Sequence, residues 1–254
     1  MCICKNKAPY LIMYKLSIVN YYNTTPFLFG IKNSPIKNDV HIELDMPSVC
    51  AQKLKNKTVD IGLVPVAILP ELSSYHIITD YCIGANGKVD SVKLFSEKPL
   101  DELTHVLLDY QSKTSVTLVQ VLNKHFWKKN IQFIEAKEGF ENEISDTTGA
   151  VIIGDRTFGL SKYPYQIDLA EEWTKQTKLP FVFAAWVSNI ELPADFIKKF
   201  NDALAFGLVH INEAVLEKPK DIVGFDAIDY LKNKISYDFS EEKKLGLKTF
   251  LNLI

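Results

Sequence analysis

Hydrophobic positions along this chain follow two different spacings. Apolar runs such as 60–66, with a proline near the end, are typical of buried strands. Elsewhere apolar side chains recur every three or four residues, as at Ile197, Phe200 and Leu204, which indicates one face of a helix. Strands are predicted at 15–22, 41–46, 60–66, 76–85, 91–96, 104–109, 131–136, 150–154 and 181–187. Helices are predicted to begin at Thr25–Pro26 and Pro47, and to span 114–127, 195–217, 226–234 and 240–254.

Strands that alternate with helices predict an α/β architecture. Because the pattern of 15–95 repeats at a coarse level further along, we expect two lobes. Residues 1–96 and 190–254 would form one discontinuous lobe, and 97–189 a second lobe inserted into it. Strand ends of both lobes would then face one crevice, the place where α/β proteins bind ligands.

Composition narrows the classes of partner. The 254 residues are 47% hydrophobic, enough for a large core, and 29 basic against 31 acidic residues give a net charge of −2. This balance carries no signal for nucleic acid or for an anionic membrane. No stretch approaches the roughly 20 apolar residues of a membrane span. An anionic ligand would have to be held by local dipoles and hydrogen bonds.

The four cysteines, Cys2, Cys4, Cys50 and Cys82, form no CxxC pair. Cys50 and Cys82 lie in apolar segments, which predicts buried thiols in a reducing compartment. The apolar patches of the first nineteen residues are too short for a signal peptide, so a cytoplasmic location is expected. Cys2 and Cys4 stay open as ligands or lipid sites, although no apolar stretch precedes them.

Two of the predicted helices begin with small polar side chains close to the crevice. A helix N-terminus offers unpaired backbone N–H groups and a positive dipole end, which suit a carboxylate. The same side chains also make ordinary caps and turns, so the spacing leaves both interpretations open. At the first helix Thr25 is the candidate cap, ahead of Pro26. The candidate binding residues at the two helix starts are Asn23, Thr24, Thr25, Ser112, Thr114 and Ser115.

Two further turns lie at strand ends near the crevice. Ser91 has no nearby histidine to make it a nucleophile, so hydrogen bonding is its better role, with a plain strand-edge serine as the alternative. Gly154 lets the backbone approach a ligand, and Asp155 is a candidate orienting group or base. Arg156 is a candidate partner for a carboxylate. An Asp155–Arg156 surface ion pair is the alternative interpretation.

Several chemistry-bearing motifs are absent from the sequence. It contains no G-x-x-x-x-G-K-[ST], no G-x-G-x-x-G, no H-E-x-x-H and no G-x-S-x-G. The five histidines are scattered, and none pairs with a carboxylate at metal-ligand spacing. We therefore predict neither a metal site nor Ser–His catalysis.

Six segments, taken in order, carry a family resemblance. They read IVNYYNTTPF at 18–27, DIGLVPV at 60–66, DYCIGA at 80–85, SVKLFS at 91–96, LDYQSKTS at 108–115 and IGD at 153–155. In these segments the chain resembles the chorismate dehydratases of the futalosine route to menaquinone. The resemblance runs from about Lys15 to Pro193, and the N-terminal thirteen residues lie outside it.

The resemblance implies a type II periplasmic-binding-protein fold with a ligand cleft between its lobes, used here for catalysis. It implies the loss of water from chorismate to give 3-[(1-carboxyvinyl)oxy]benzoate, without a metal or an organic cofactor. The family's proposed catalytic residues fall on Asn23 and Ser91, and its carboxylate cradle falls on Thr114 and Ser115. In the mechanism suggested for the family, a carboxylate of the substrate itself removes the proton.

The sequence also has to be weighed against two other functions. A sister family of cyclising lyases with this fold acts later in the same pathway and carries His-Glu where this chain has Gly154–Asp155. The absence of that histidine argues against the later step. It also makes Asp155 a weaker candidate for a base. A receptor that captures a small carboxylate for a transporter is the alternative from another class. The expected partner is the small molecule chorismate, with no nucleic acid and no membrane. The sequence leaves the oligomeric state open, a homodimer included.

Overall fold

The computed structural model describes residues 13–218 and 225–254, so the predictions on Cys2, Cys4 and the first twelve residues lie outside the described residues. Strands and helices alternate along the chain, as predicted. The strands are β1 (Tyr14–Val19), β2 (Val40–Asp45), β3 (Ile61–Pro65), β4 (His76–Ala85), β5 (Val92–Ser96), β6 (His105–Leu108), β7 (Gln132–Glu135), β8 (Thr148–Ile153), β9 (Tyr165–Asp168), β10 (Phe181–Ser188) and β11 (Ser236–Asp238). The helices are α1 (Thr25–Lys32), α2 (Pro47–Lys55), α3 (Lys113–Leu122), α4 (Leu169–Thr177), α5 (Ala194–Val209), α6 (Ile211–Glu217), α7 (Ala227–Asp229) and α8 (Glu241–Leu253).

Two sheets form the two lobes. The first has the strand order β11-β4-β10-β3-β1-β2, and the second has the order β7-β6-β8-β5-β9. β1 runs parallel to β2 and β3, whereas β10 runs antiparallel between β3 and β4. In the second sheet β6 is parallel to β7 and β8, and β5 is antiparallel to β8 and β9. The predicted two-lobed α/β architecture is therefore present.

The predicted lobe boundaries need correction at two strands. β5 was expected in the first lobe but pairs with β8 and β9 in the second sheet. β10 was expected in the second lobe but lies inside the first sheet. The chain crosses between lobes at 86–91 and again after α4, one element earlier than expected in each case. The choice of sheet depends on hydrogen bonds between distant segments, which local patterns do not reveal.

Three other differences concern the elements themselves. The helix predicted at 195–217 is interrupted at His210, whose backbone leaves the helical region, so α5 and α6 are separate. β9, α4 and β11 were not predicted. Thr25 is not the cap of α1: Thr24 occupies that position without a side-chain capping bond, and Pro26 follows in the first turn.

The start of α1 is held in place by close helix packing. Gly30 of α1 and Gly207 of α5 let the two backbones touch, because a Cβ at Gly207 would lie 1.8 Å from the carbonyl oxygen of Pro26. Phe27 of α1 is fully buried against Trp186 of β10, with 5.8 Å between ring centroids. Within the described part of the chain, no helix is long and apolar enough to cross a membrane.

Candidate active site

A cavity lies between the lobes and encloses about 550 Å³ when the open space at its mouth is included. Its apolar walls include Val19, Leu63, Pro65, Ile83 and Phe183. Seven of the nine residues predicted for the site also line it, namely Asn23, Thr24, Ser91, Ser112, Thr114, Ser115 and Gly154.

The first polar wall is the turn between β1 and α1. The hydroxyl of Thr24 donates to the carbonyl oxygens of Val19 at 2.7 Å and Tyr21 at 2.8 Å, which closes the turn. The hydroxyl of Tyr237 donates to the backbone carbonyl of Asn23 at 2.8 Å. The side-chain Oδ1 of Asn23 is buried and has no hydrogen-bond partner among the described residues. A buried acceptor of this kind calls for a donor from a ligand or water.

The second polar wall is the start of α3. Ser112 caps this helix, because its Oγ accepts from the backbone N–H of Ser115 at 3.1 Å. The Ser112 hydroxyl itself donates to the Ser115 Oγ at 3.0 Å. Ala67 of the first lobe donates its N–H to the Thr114 Oγ1 at 3.2 Å. The hydroxyls of Thr114 and Ser115 thus act as acceptors within the protein, which leaves their own protons for a ligand at a positive helix end.

Ser91 lies at the crossing between the lobes and is only 2% exposed. The hydroxyl of Tyr230, which follows α7, donates to the Ser91 Oγ at 2.8 Å. The preceding backbone is fixed by Asp168, whose Oδ2 accepts from the N–H groups of Val89 at 3.0 Å and Asp90 at 2.7 Å. Burial raises the pKa of Asp168, although these backbone hydrogen bonds act in the opposite direction.

Gly154 and Tyr21 meet across the cleft. Gly154 has a φ of +66°, and a Cβ there would lie 3.1 Å from the Tyr21 ring. The Tyr21 hydroxyl donates to the Oε1 of Gln111 in the second lobe. Burial raises the pKa of Tyr21 well above its ordinary value, and the nearby Asp109 raises it further. Tyr21 is therefore a neutral side chain that spans the two lobes.

Thr25 and Asp155 are not brought to the cavity. Thr25 lies on another side of the first lobe, in a groove with Leu28 and Ala214. The Oδ1 of Asp155 accepts from the backbone N–H of Tyr22 at 3.1 Å, so Asp155 ties the second lobe to the first.

Arg156 is also engaged elsewhere, and Asp155 is not its partner in the ion pairs found. Its guanidinium pairs with Asp109 and, at 2.6 Å, with Glu141. Instead of the Asp155–Arg156 ion pair considered from the sequence, Arg156 forms ion pairs with two acidic residues that are distant along the chain, Asp109 and Glu141. Arg156 does not line the cavity.

Among the described residues, no charged side chain lines the cavity. Nor do the described residues include a cluster of histidine, cysteine and acidic groups able to hold a metal ion. The site offers hydroxyls, one amide and the N-terminus of α3. These groups can hold and orient an anion with hydroxyl groups, but they include no strong base.

Comparison with known proteins shows which family this chain belongs to. A family model described as menaquinone biosynthesis matches residues 14–254. The chain belongs to this menaquinone-biosynthesis family. Curated relatives include chorismate dehydratases from Thermus thermophilus, 29% identical over 75% of this chain and 79% of the relative, and from Campylobacter jejuni, 27% identical over 92% and 94%.

Solved structures with the same fold include a protein from Archaeoglobus fulgidus, with a TM-score of 0.75, 12% identity and coverage of 97% of both chains. The periplasmic aliphatic sulphonate binding protein of Escherichia coli also aligns, with a TM-score of 0.58, 13% identity and coverage of 95% of this chain and 86% of that one. The predicted family resemblance and the two-lobed binding-protein fold are confirmed.

Sequence reasoning missed three tyrosines around the site. Tyr21 is the one with a local signal, since it lies two residues before Asn23, in the turn that follows β1. Tyr230 lies 139 residues from Ser91, and Tyr237 lies 214 residues from Asn23. No local pattern connects residues so far apart, so these two contacts depend on the complete fold.

Proposed function

We propose that this chain is a chorismate dehydratase that forms 3-[(1-carboxyvinyl)oxy]benzoate in menaquinone biosynthesis. Family membership and two relatives with that name, from different bacteria, support the proposal. The structural observation that carries it is the cavity, which the described residues line with hydroxyls, an amide and apolar side chains but with no charged group.

The chemistry fits a site without a strong base. Removal of a proton from C3 and of hydroxide from C4 aromatises the ring, which gives a large driving force. A carboxylate of the substrate itself takes the proton in this proposal. The protein then has to position the reacting groups and keep water away. The reaction is redox-neutral and releases only water, so its balance requires no redox cofactor.

The polar groups of the cavity divide between two tasks. The start of α3, with Thr114 and Ser115, would hold a substrate carboxylate through the helix dipole and hydroxyl donors. Asn23 and Ser91 would hold the departing hydroxyl. The apolar walls, including Leu63 and Phe183, would exclude water, so that the carboxylate that acts as the base is less solvated than in bulk water.

Incubation of purified protein with chorismate tests the proposal. Separation of the reaction mixture with mass detection should show an aromatic product that has lost one water. A sample treated with chelator should behave identically. Binding of chorismate, by calorimetry, without any product would favour the receptor function instead.

Cellular location and assembly can be tested on the same protein. We infer a cytosolic location, supported by the unpaired thiols of Cys50 and Cys82, since disulfides are rare in that compartment. Cell fractionation with an antibody tests this location. Light scattering distinguishes the two assemblies that the sequence leaves open, monomer and homodimer.

A further inference from the structure

Tyr230 contacts the predicted catalytic residue Ser91 from outside the cavity lining. It begins the π-helical segment Tyr230–Lys234, is 3% exposed and does not line the cavity. Its hydroxyl donates to the Ser91 Oγ at 2.8 Å. Among the described residues, Tyr230 is the single side chain that hydrogen-bonds to the Ser91 hydroxyl. The proton of the Ser91 hydroxyl is thereby left without an acceptor in that part of the protein.

Asn23 lies on the same cavity as Ser91. Its side-chain Oδ1 is buried without a partner among the described residues. Because Asn23 lines the cavity, this oxygen is available to a ligand there.

The surroundings of Tyr230 keep its phenol protonated. Phe158 packs edge-on against the ring at 5.1 Å between centroids, and Phe225 packs at 5.5 Å. Burial raises the pKa of Tyr230 well above its ordinary value. A phenol that stays neutral has one proton, and the geometry gives that proton to Ser91.

We propose that Tyr230 is a positioning residue whose hydroxyl donates to Ser91 and so fixes the direction of the Ser91 hydroxyl. Ser91 must then donate its proton into the cavity, where Asn23 offers an acceptor, its unpaired Oδ1. A donor and an acceptor side by side match a hydroxyl group, which both accepts and donates.

The identity of that hydroxyl rests on the proposed function. In chorismate it would be the C4 hydroxyl, the group that departs. A proton donated by Ser91 stabilises the negative charge that grows on this oxygen as its bond to carbon breaks. Asn23 would orient the same group by accepting its proton. With the opposite polarity, Ser91 would donate to Tyr230 and could offer the leaving oxygen no proton.

The substitution Tyr230→Phe removes the hydroxyl and keeps the ring that packs against Phe158. We expect kcat to fall about tenfold, the usual effect of one hydrogen bond, with KM changed by less than about twofold. The control is Tyr163→Phe, which removes a buried hydroxyl that donates to the Glu141 carbonyl away from the cavity lining and should leave kcat unchanged. Wild-type kcat in Tyr230→Phe would overturn the proposal.

A second measurement needs no substrate. The Tyr230 hydroxyl proton should appear in a proton NMR spectrum as a slowly exchanging signal that is absent in Tyr230→Phe. With the proposed direction, Ser91→Ala shifts this signal and speeds its exchange. A signal that is unchanged in Ser91→Ala would refute the proposal. If wild-type protein does not consume chorismate, the proposed function fails, and this spectrum still decides the direction of the bond between Tyr230 and Ser91.

Discussion

The hydroxyl of Tyr21 donates a hydrogen bond across the cleft to the Oε1 of Gln111, at 2.5 Å. Tyr21 belongs to the turn after β1, and Gln111 precedes α3 in the other lobe. The bond thus forms only when the lobes are closed over the cavity. Together with the bonds from Ala67 to Thr114 and from Tyr22 to Asp155, it favours the closed arrangement.

Tyr21→Phe should loosen this closure. A hydrogen bond contributes about 0.5–1.5 kcal/mol, so the fraction of closed protein and the apparent affinity should fall by about 2- to 10-fold. Initial-rate measurements should show a higher KM with a kcat close to wild type. Tyr165→Phe, at an exposed position on β9, is the control and should change neither constant. An unchanged KM in Tyr21→Phe would show that the bond does not hold the lobes together.

Asn23→Leu and Ser91→Ala should each abolish turnover while leaving the fold intact, because both remove a polar group from the cavity. Circular dichroism and thermal unfolding check the fold, and the chorismate assay checks the rate. Thr25→Val is the matched control, since Thr25 lies away from the cavity and its Oγ1 is buried without a partner among the described residues. That variant should keep full activity. Near-normal activity in both Asn23→Leu and Ser91→Ala would disprove their roles.

Gly154→Ala should affect both stability and the site. A positive φ costs an alanine about 1 kcal/mol, and the new Cβ would also press on the Tyr21 ring. Gly87→Ala separates the two effects, because Gly87 has a φ of +101° but no atom within 4 Å of its Cβ position. Both variants should unfold at lower denaturant concentration, but only Gly154→Ala should raise KM. Equal KM values in the two variants would mean that Tyr21 moves aside freely.

Cys50 and Cys82 should resist alkylation in the native protein. Burial raises the pKa of each thiol to about 12, and the thiolate is the reactive form. In a Cys2→Ser, Cys4→Ser background, labelling by iodoacetamide at pH 8 should be at least about a hundredfold slower than in urea. Below the pKa, each rise of one pH unit increases the thiolate fraction tenfold, so the native rate should climb between pH 8 and 10. Fast native labelling would contradict the burial of these thiols.

Lys243→Met should destabilise the protein. The ammonium of Lys243 is fully buried and donates to the carbonyl oxygens of Ser236 and Asp238 at 2.9 and 2.6 Å. Because both oxygens lose their donor, the free energy of unfolding should fall by about 2–4 kcal/mol. Urea unfolding at pH 7 measures this change. Lys198→Met is the control: it breaks an exposed surface pair with Asp202 and should change stability by less than about 1 kcal/mol.

The contribution of Lys243 to the free energy of unfolding should also depend on pH. Burial alone would raise the pKa of Asp238, but hydrogen bonds from Lys243 and Ser236 lower it on balance. A carboxyl group with a lowered pKa stabilises the fold above its ordinary pKa, and this contribution is lost as the pH falls. The difference in unfolding free energy between wild type and Lys243→Met should therefore narrow below about pH 4. A constant difference from pH 7 to 3 would rule out this coupling.

The sequence predicted what depends on local spacing. Runs such as 60–66 became strands, and small polar residues at the starts of α1 and α3 came to line the cavity. Thr25 was misassigned because adjacent threonines at a helix start look alike, and only the turn closed by Thr24 decides which one faces inward. The partners of Ser91 and Asn23 could not be predicted, since both arise from contacts made by the distant segment 225–239.

β10 has a consequence for the order in which the protein is made. It fills the gap between β3 and β4, yet the ribosome synthesises the whole second sheet before it. A nascent chain therefore carries a complete second lobe beside a first sheet that is still split, with two open strand edges. Tyr230 and Tyr237 emerge later still, so the growing chain contains Ser91 and Asn23 long before it contains the side chains that orient them. The reactive cleft is therefore assembled at the end of translation.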